Sequence, residues 1–182
     1  MTIFQLQDNT SITIEPVTGK EDPREFQRFI NTLTKEGTYL LLDKPISLEQ
    51  EKKWLEAQAN AQQKGEQIYL KALAAGRLVG DCIAKPGFGR NQGNISLAIA
   101  IARPWRDRGL GTLMLRHIMM LAEKKWHPKN FSLHVVEANH RARHVYESLG
   151  FQVVARLPQW YEYKGAYLDE FILILKRPQD QR

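Results

Sequence analysis

The stretch Arg106-Asp107-Arg108-Gly109-Leu110-Gly111-Thr112 constrains this chain more than any other, because it joins an apolar strand to an amphipathic helix. Upstream, Ile95-Ser96-Leu97-Ala98-Ile99-Ala100-Ile101 reads as a buried strand. Downstream, Leu110, Leu113, Met114, Ile118 and Leu121 recur at helical spacing. The chain must turn sharply between the two and expose a row of backbone N–H groups at a helix N-terminus. Such a terminus favours anions through hydrogen bonding and through the helix dipole. Gly109 and Gly111 let a large ligand approach the backbone, and Arg106 and Arg108 add positive charge beside it. The segment reads as a cradle for a phosphate or pyrophosphate.

A Gly-x-Gly after a strand also begins the dinucleotide-binding fingerprint, but that pattern needs a third glycine where this chain has Met114. A second segment narrows the reading. Phe131-Ser132-Leu133-His134-Val135-Val136 alternates as a strand does, and Asn139 to Phe151 follows as a short helix. Asn139 suits the N-cap, Gly150 suits the C-terminal cap, and Ala142, Val145, Tyr146 and Leu149 form the apolar stripe.

Together, Arg-x-x-Gly-x-Gly at 106–111 and Asn-x-x-Ala-x-x-x-Tyr-x-x-x-Gly-Phe at 139–151 closely resemble the GNAT family of acyl-CoA-dependent N-acetyltransferases. The resemblance extends over roughly residues 66–176. It implies an α/β (α+β) GNAT fold, with a mixed, mostly antiparallel sheet of about seven strands, four helices and splayed central strands. It also implies acetyl-CoA as co-substrate and direct attack by an amine on its thioester. On that pattern the main chain of Ile99, Ala100 and Ile101 would hold the pantetheine arm. The N–H groups of Asp107, Arg108, Gly109, Leu110, Gly111 and Thr112 would hold the pyrophosphate, with Arg106 leading the motif. Asn139 would contact the pantetheine or cap its helix beside Ala142, and Tyr146 would face the sulfur.

The rest of the chain fits one domain over 1–182, with a hairpin at 1–16, an acyl-CoA-binding core at 94–151 and closing strands at 151–176. Ile3–Gln7 and Ser11–Pro16 flank Asp8-Asn9-Thr10 as a hairpin. Asp22-Pro23 caps a helix to about Lys35, with Phe26, Phe29, Ile30 and Leu33 inward and Gly37 past its end. Ser47-Leu48-Glu49-Gln50 is a capping box opening a helix to about Lys64. Strands follow at 67–75, 77–85, 95–101, 131–136, 151–158 and 166–176, in the order ββααβββαβαββ.

Composition excludes some roles. The net charge is +6, but the Lys and Arg residues are scattered, so no nucleic-acid partner is expected. No apolar run approaches the ~20 residues of a membrane span, and no secretory signal is visible, which makes the cytoplasm the default compartment. Cys82 is the only cysteine, so no intrachain disulfide can form, and its apolar neighbours mark it as core. A homodimer is compatible with all of this. His140 and His144 have the spacing of a metal pair, but no third ligand accompanies them, and no metal is expected.

The chemistry implied by the resemblance needs a proton donor for the leaving thiolate and a route to a neutral amine. A phenol of pKa about 10 can protonate a thiolate whose conjugate acid lies at about 8.5, and Tyr146 is the candidate. Many relatives carry a glutamate where this chain has Ser96, and Ser96 is no base at neutral pH. Glu36, Asp81 and Glu137 are possible substitutes. A lysine-like amine is roughly 0.04% neutral at pH 7, whereas an α-amine is more than about 10% neutral, so a site without a strong base suits the α-amine.

The aromatic segment Trp160-Tyr161-Glu162-Tyr163, with Glu36 in the loop after the first helix, supplies the acceptor-site candidates. Trp160, Tyr161 and Tyr163 could wall a slot for a cationic amine. The expected partners are therefore acetyl-CoA and a small amine, amino acid or peptide N-terminus. The alternative is a non-catalytic acyl-CoA-binding module, which the absence of a glutamate at Ser96 motivates and the presence of Tyr146 opposes.

Overall fold

A computed structural model describes residues 1–177 of the chain. The elements are β1 (Thr2–Gln5), β2 (Ser11–Pro16), α1 (Pro23–Lys35), α2 (Leu48–Gln63), β3 (Ile68–Ala74), β4 (Arg77–Pro86), β5 (Asn94–Ile101), α3 (Leu110–Trp126), β6 (Asn130–Val136), α4 (His140–Ser148), β7 (Gln152–Tyr163) and β8 (Ala166–Lys176). The described strands form an eight-stranded sheet in the order β1-β2-β3-β4-β5-β6-β8-β7. The order ββααβββαβαββ holds, and its eight strands are one more than the about seven that the resemblance implies. The extra strand is β1, which pairs fully with β2 from Thr2↔Ile14 to Gln5↔Ser11.

The chain divides into two compact units, and β4, β5 and α3 each run through both. The first unit comprises Met1–Ile83 and Ile99–Ile118. Its helices begin where the sequence places them. Asp22 accepts from the Arg24 amide, and Ser47 and Gln50 make the reciprocal capping box. Phe26, Phe29 and Leu33 of α1 meet Leu55 of α2, Tyr69 of β3 and Leu78 of β4 in one apolar core. Each of these buried side chains contributes roughly 1.5–3 kcal/mol by leaving water.

The second unit holds Ala84–Ala98 and the chain from Met119 onward. Phe131, Leu133 and Val135 alternate inward along β6, with Phe151 and Leu173 also buried. α4 buries less than its pattern implies: Tyr146 is buried, while Ala142, Val145 and Leu149 are only half-buried. β7 runs to Tyr163 instead of ending at 158, with bulges between Val153 and Ala155 and between Leu157 and Tyr161. The sequence reading ends this strand at 158; Pro158 is tolerated inside β7 because β7 is the last strand in the described sheet, where a missing N–H breaks no ladder.

Candidate functional site

In the first unit, β5 ends in a 3₁₀ turn at Arg103–Trp105, and the chain then enters α3 through two left-handed residues, Asp107 (φ 60°) and Gly109 (φ 81°). The first helical bond of α3 is from the Leu113 amide to Gly109 O, 3.0 Å. The amides of Leu110, Gly111 and Thr112 therefore have no acceptor within the helix. A Cβ added at Gly109 or Gly111 would meet nothing within 4 Å. The turn is thus an open row of donors at a helix N-terminus, as the glycine spacing implies.

Its arginines behave differently from the expectation. Arg106 turns to the protein, donating from Nε to Ile101 O (2.9 Å) and pairing with Glu36 (3.0 Å). Arg108 pairs with Asp8 in the β1–β2 turn, donates to Thr10 Oγ1 (2.8 Å) and stacks 4.4 Å over Trp105. With its hydrogen bonds from Thr10 and Arg108, the Asp8 carboxyl falls to about 2. The positive character of the cradle therefore rests on its amides and the helix dipole, while both guanidinium groups hold the surrounding loops. Glu36 is likewise engaged, as the partner of Arg106.

Ile99, Ala100 and Ile101 are half-buried, so the two isoleucine side chains are not ordinary core. The parallel ladder between β5 and β6 comprises Asn94↔Asn130, Ile95↔Phe131 and Ser96↔Ser132, and residues 97–101 lie beyond it. Ser96 is exposed and donates its hydroxyl to Lys85 O (3.2 Å).

Asp81 stands in an environment its sequence neighbours do not announce. Gly80 abuts β5: a Cβ there would lie 2.7 Å from Ile101 Cδ1 and 3.3 Å from Met114 Sδ. Asp81, one residue on, faces the opposite side of β4. Its Oδ2 accepts from the Tyr69 hydroxyl at 2.8 Å. Burial pushes the Asp81 carboxyl up to about 6, against the lowering effect of that hydrogen bond. Glu51 of α2 is 3% exposed, and burial together with the Asp81 charge raises it to about 7. Cys82 is buried as expected, and burial lifts its thiol well above the usual range, so it is no nucleophile at neutral pH.

In the second unit, Asn139 caps α4, its Oδ1 accepting from the Ala142 amide at 3.2 Å. Of its two expected roles, the side chain performs the cap. The Tyr146 ring is 7% exposed and packs 6.3 Å from Phe151. Its hydroxyl has no hydrogen-bond partner among the described residues, and burial raises its pKa to about 12. Glu137 accepts from the Asp169 amide (3.2 Å) and lies 3.9 Å from Arg156, so it is bound into the β7–β8 hairpin. Asp169 itself accepts from the Gln159 amide (2.9 Å) and from Arg156, holding the bulge in β7.

Tyr161 and Tyr163 share one face of β7, with Glu162 on the other, while Trp160 lies in the bulged stretch between Leu157 and Tyr161. Trp160 is 66% exposed.

Two groups escaped the sequence reading. His134 of β6 sits 3.0 Å from the Glu170 carboxylate. Glu51 shares a helical stripe with Leu55 and Ala59, all three buried. That i, i+4, i+8 spacing was the available signal for Glu51.

A family model described as "Acetyltransferase (GNAT) family" matches residues 28–151, and the chain belongs to that family. The N-alpha-acetyltransferase 60 of Danio rerio is 32% identical over 83 residues, covering 43% of this chain and 34% of that protein. The chain spans between 34% and 40% of the lengths of the first curated relatives it matches. Among solved structures, a ribosomal-protein-alanine N-acetyltransferase from Brucella melitensis superposes with a TM-score of 0.77 at 21% identity, covering 91% of this chain and 99% of that one. A GNAT superfamily phosphinothricin acetyltransferase from Sinorhizobium meliloti, in complex with acetyl-CoA, does so with 0.75 at 15% identity, covering 93% and 94%. These likenesses establish a shared fold. No helix among the described residues is long and apolar enough to cross a membrane.

Proposed function

We propose that this chain is an N-acetyltransferase moving an acetyl group from acetyl-CoA to a primary amine by direct attack in a ternary complex. The observation that carries the reading is the open donor row at the start of α3, with vacant space at Gly109 and Gly111, in a chain of this family. Residues 107–112 hold the pyrophosphate through their amides, and the main chain of Ile99 to Ile101 takes the pantetheine arm. Bound acetyl-CoA supplies an acetyl group on a thioester, with a thiolate as leaving group.

Tyr146 donates a proton from its hydroxyl to that thiolate. With a pKa of about 12 it stays protonated throughout the working range, and its hydroxyl is committed to no other acceptor. Conversion to Phe is expected to lower kcat by about 10²–10⁴ while leaving coenzyme A affinity nearly intact. A loss under about threefold would leave Tyr146 as packing, with water as the donor.

The names of the related proteins point to different acceptors, from phosphinothricin to ribosomal-protein alanine and an N-alpha position. A small amine, an amino acid and a peptide N-terminus all remain within the reading. The test is thiol release from acetyl-CoA over an amine panel, with calorimetric titration of coenzyme A. Gly111→Glu should abolish coenzyme A binding by steric and charge clash, and unchanged affinity would remove the cradle from the site. Binding without thiol release for any amine would point to a non-catalytic acyl-CoA-binding module.

A further inference from the structure

We propose that the outer face of α1 is a docking groove for an acidic, extended segment of another polypeptide. The surface takes no part in the proposed acetyl transfer, and the inference stands or falls apart from that reading.

In the first unit a groove of about 390 Å³ runs along α1, lined by Arg24, Gln27, Arg28, Asn31, Thr32 and Lys35, with Leu48 at the start of α2. Its far wall is pinned in place. The Gln27 and Asn31 side-chain amides both donate to Ile46 O, at 3.0 and 2.9 Å, and the Ile46 amide donates back to Asn31 Oδ1 at 2.8 Å. These bonds hold the segment entering α2 against the helix, so the concavity is built into the fold.

The groove carries one sign of charge. At about 100° per residue, Arg24, Arg28 and Lys35 fall within about 40° of one another around the helix axis. They lie opposite Phe26, Phe29 and Leu33, which are buried. A helix face kept only for solubility mixes both signs, and none of the lining residues is acidic.

The acids of this stretch are committed elsewhere. Asp22 caps the Arg24 amide at 2.9 Å, Glu25 accepts from the Leu78 amide at 2.7 Å, and Glu36 pairs with Arg106 at 3.0 Å. Asp43 and Glu49 meet Lys44 and Lys53 at 3.8 and 3.3 Å. Arg24 keeps a 3.9 Å contact with Asp22, both side chains being well exposed. No hydrogen bond or ion pair engages the Arg28 or Lys35 side chain among the described residues.

Dimensions and chemistry select the occupant. From Arg24 to Lys35 the helix rises about 16 Å, the length of about five residues of extended chain. Carboxylates on alternate residues of such a chain stand ~7 Å apart, close to the ~6 Å rise between Arg24 and Arg28. Guanidinium groups take carboxylates in a bidentate fork. No aromatic side chain lines the groove, so nothing there stacks a nucleic-acid base. The half-buried Leu48 offers a peptide side chain an apolar contact.

The test is fluorescence anisotropy with a labelled, N-acetylated hexaglutamate peptide, which offers no amine for transfer. The protein should bind it, should ignore the hexaglutamine peptide, and should lose affinity as salt is added. Arg28→Gln combined with Lys35→Gln should weaken binding about 5–30-fold and leave the melting temperature unchanged. Lys124→Gln combined with Lys125→Gln removes the same net charge from α3 and should change binding by less than about twofold. Asn31→Ala frees the far wall without altering charge and should also weaken binding.

Equal weakening by the α1 and α3 double variants would overturn the proposal, since net charge alone would then explain the binding. Displacement of the peptide by saturating coenzyme A would do the same by moving it to the turn into α3. An oligouridylate of equal charge that binds as tightly, and is lost in the same α1 variant, would replace the polypeptide with a nucleic acid. Because no thioester enters the assay, failure of acetyl transfer would leave each of these results intact.

Discussion

Two pairs of carboxylates flank the same strand, β3, in opposite electrostatic settings. Glu15 and Glu21 meet Lys71, and Glu21 falls to about 2. Glu51 and Asp81 lie toward Tyr69, two residues earlier, and rise to about 7 and about 6. Burial acts in the same direction on Glu21, Glu51 and Asp81, raising each carboxyl. What separates the pairs is a positive charge. Lys71 and two backbone amides overcome the burial of Glu21, whereas Tyr69 offers Asp81 one neutral donor and Glu51 none. The first cluster is electrostatically complete and holds β2, β3 and the Thr18–Glu21 turn together. The second is incomplete in the isolated chain.

The strongest way to break the contrast is to remove the cation. Lys71→Met should leave Glu15 and Glu21 uncompensated and destabilise the protein by about 2–4 kcal/mol at pH 7, measured by denaturant unfolding. Glu21 is lowered from 4.5 to about 2 in the folded chain, so its stabilisation is full above 4.5 and fades as pH falls towards 2. The gap between wild type and Lys71→Met should close over that window. A gap that persists unchanged at low pH would mean that lost packing, not charge, is responsible.

Glu51→Gln should act with the other sign. The Glu51 carboxyl is raised from 4.5 to about 7, so folding favours its neutral form; that contribution is full below 4.5 and lost as pH rises through 7. The amide should therefore melt a few degrees higher than wild type at pH 8 and about the same at pH 4.5.

Asp8→Asn is the mildest change. Asp8 also falls to about 2, through Thr10 and Arg108, but it sits at the surface. Its loss should shift the melting temperature by about 1–2 °C at low salt and by nothing measurable at high salt. A large effect here would show that partner identity outweighs burial even at the surface.

The turn into α3 was legible because glycine, strand and helix periodicity are local signals, and the structure places open amides where they indicate. The caps at Asp22, Ser47 and Asn139 were legible for the same reason: each depends on residues two or three positions away. The destinations of Arg106 and Arg108 were not. A guanidinium on a long side chain takes whichever carboxylate folding brings near, and Glu36 and Asp8 lie 70 and 100 residues away in sequence. The end of β7 was not legible either: the strand runs past 158 through a bulge between Leu157 and Tyr161, and a bulge depends on pairing with β8 rather than on local composition.

By itself the sequence determined the order of elements, the family and the glycine turn into α3, because these follow from periodicity, caps and glycine spacing within a few residues. Only the tertiary structure decided which charges are paired. Glu49, Glu51 and Glu56 all lie in the polar-looking Leu48-Glu49-Gln50-Glu51-Lys52-Lys53-Trp54-Leu55-Glu56 run, and nothing in the run's composition separates them. Packing of α2 on β3 buries Glu51 and leaves Glu49 with Lys53 at the surface, 3.3 Å away. Ionisation depends on burial and neighbouring charge, and both are properties of the folded chain.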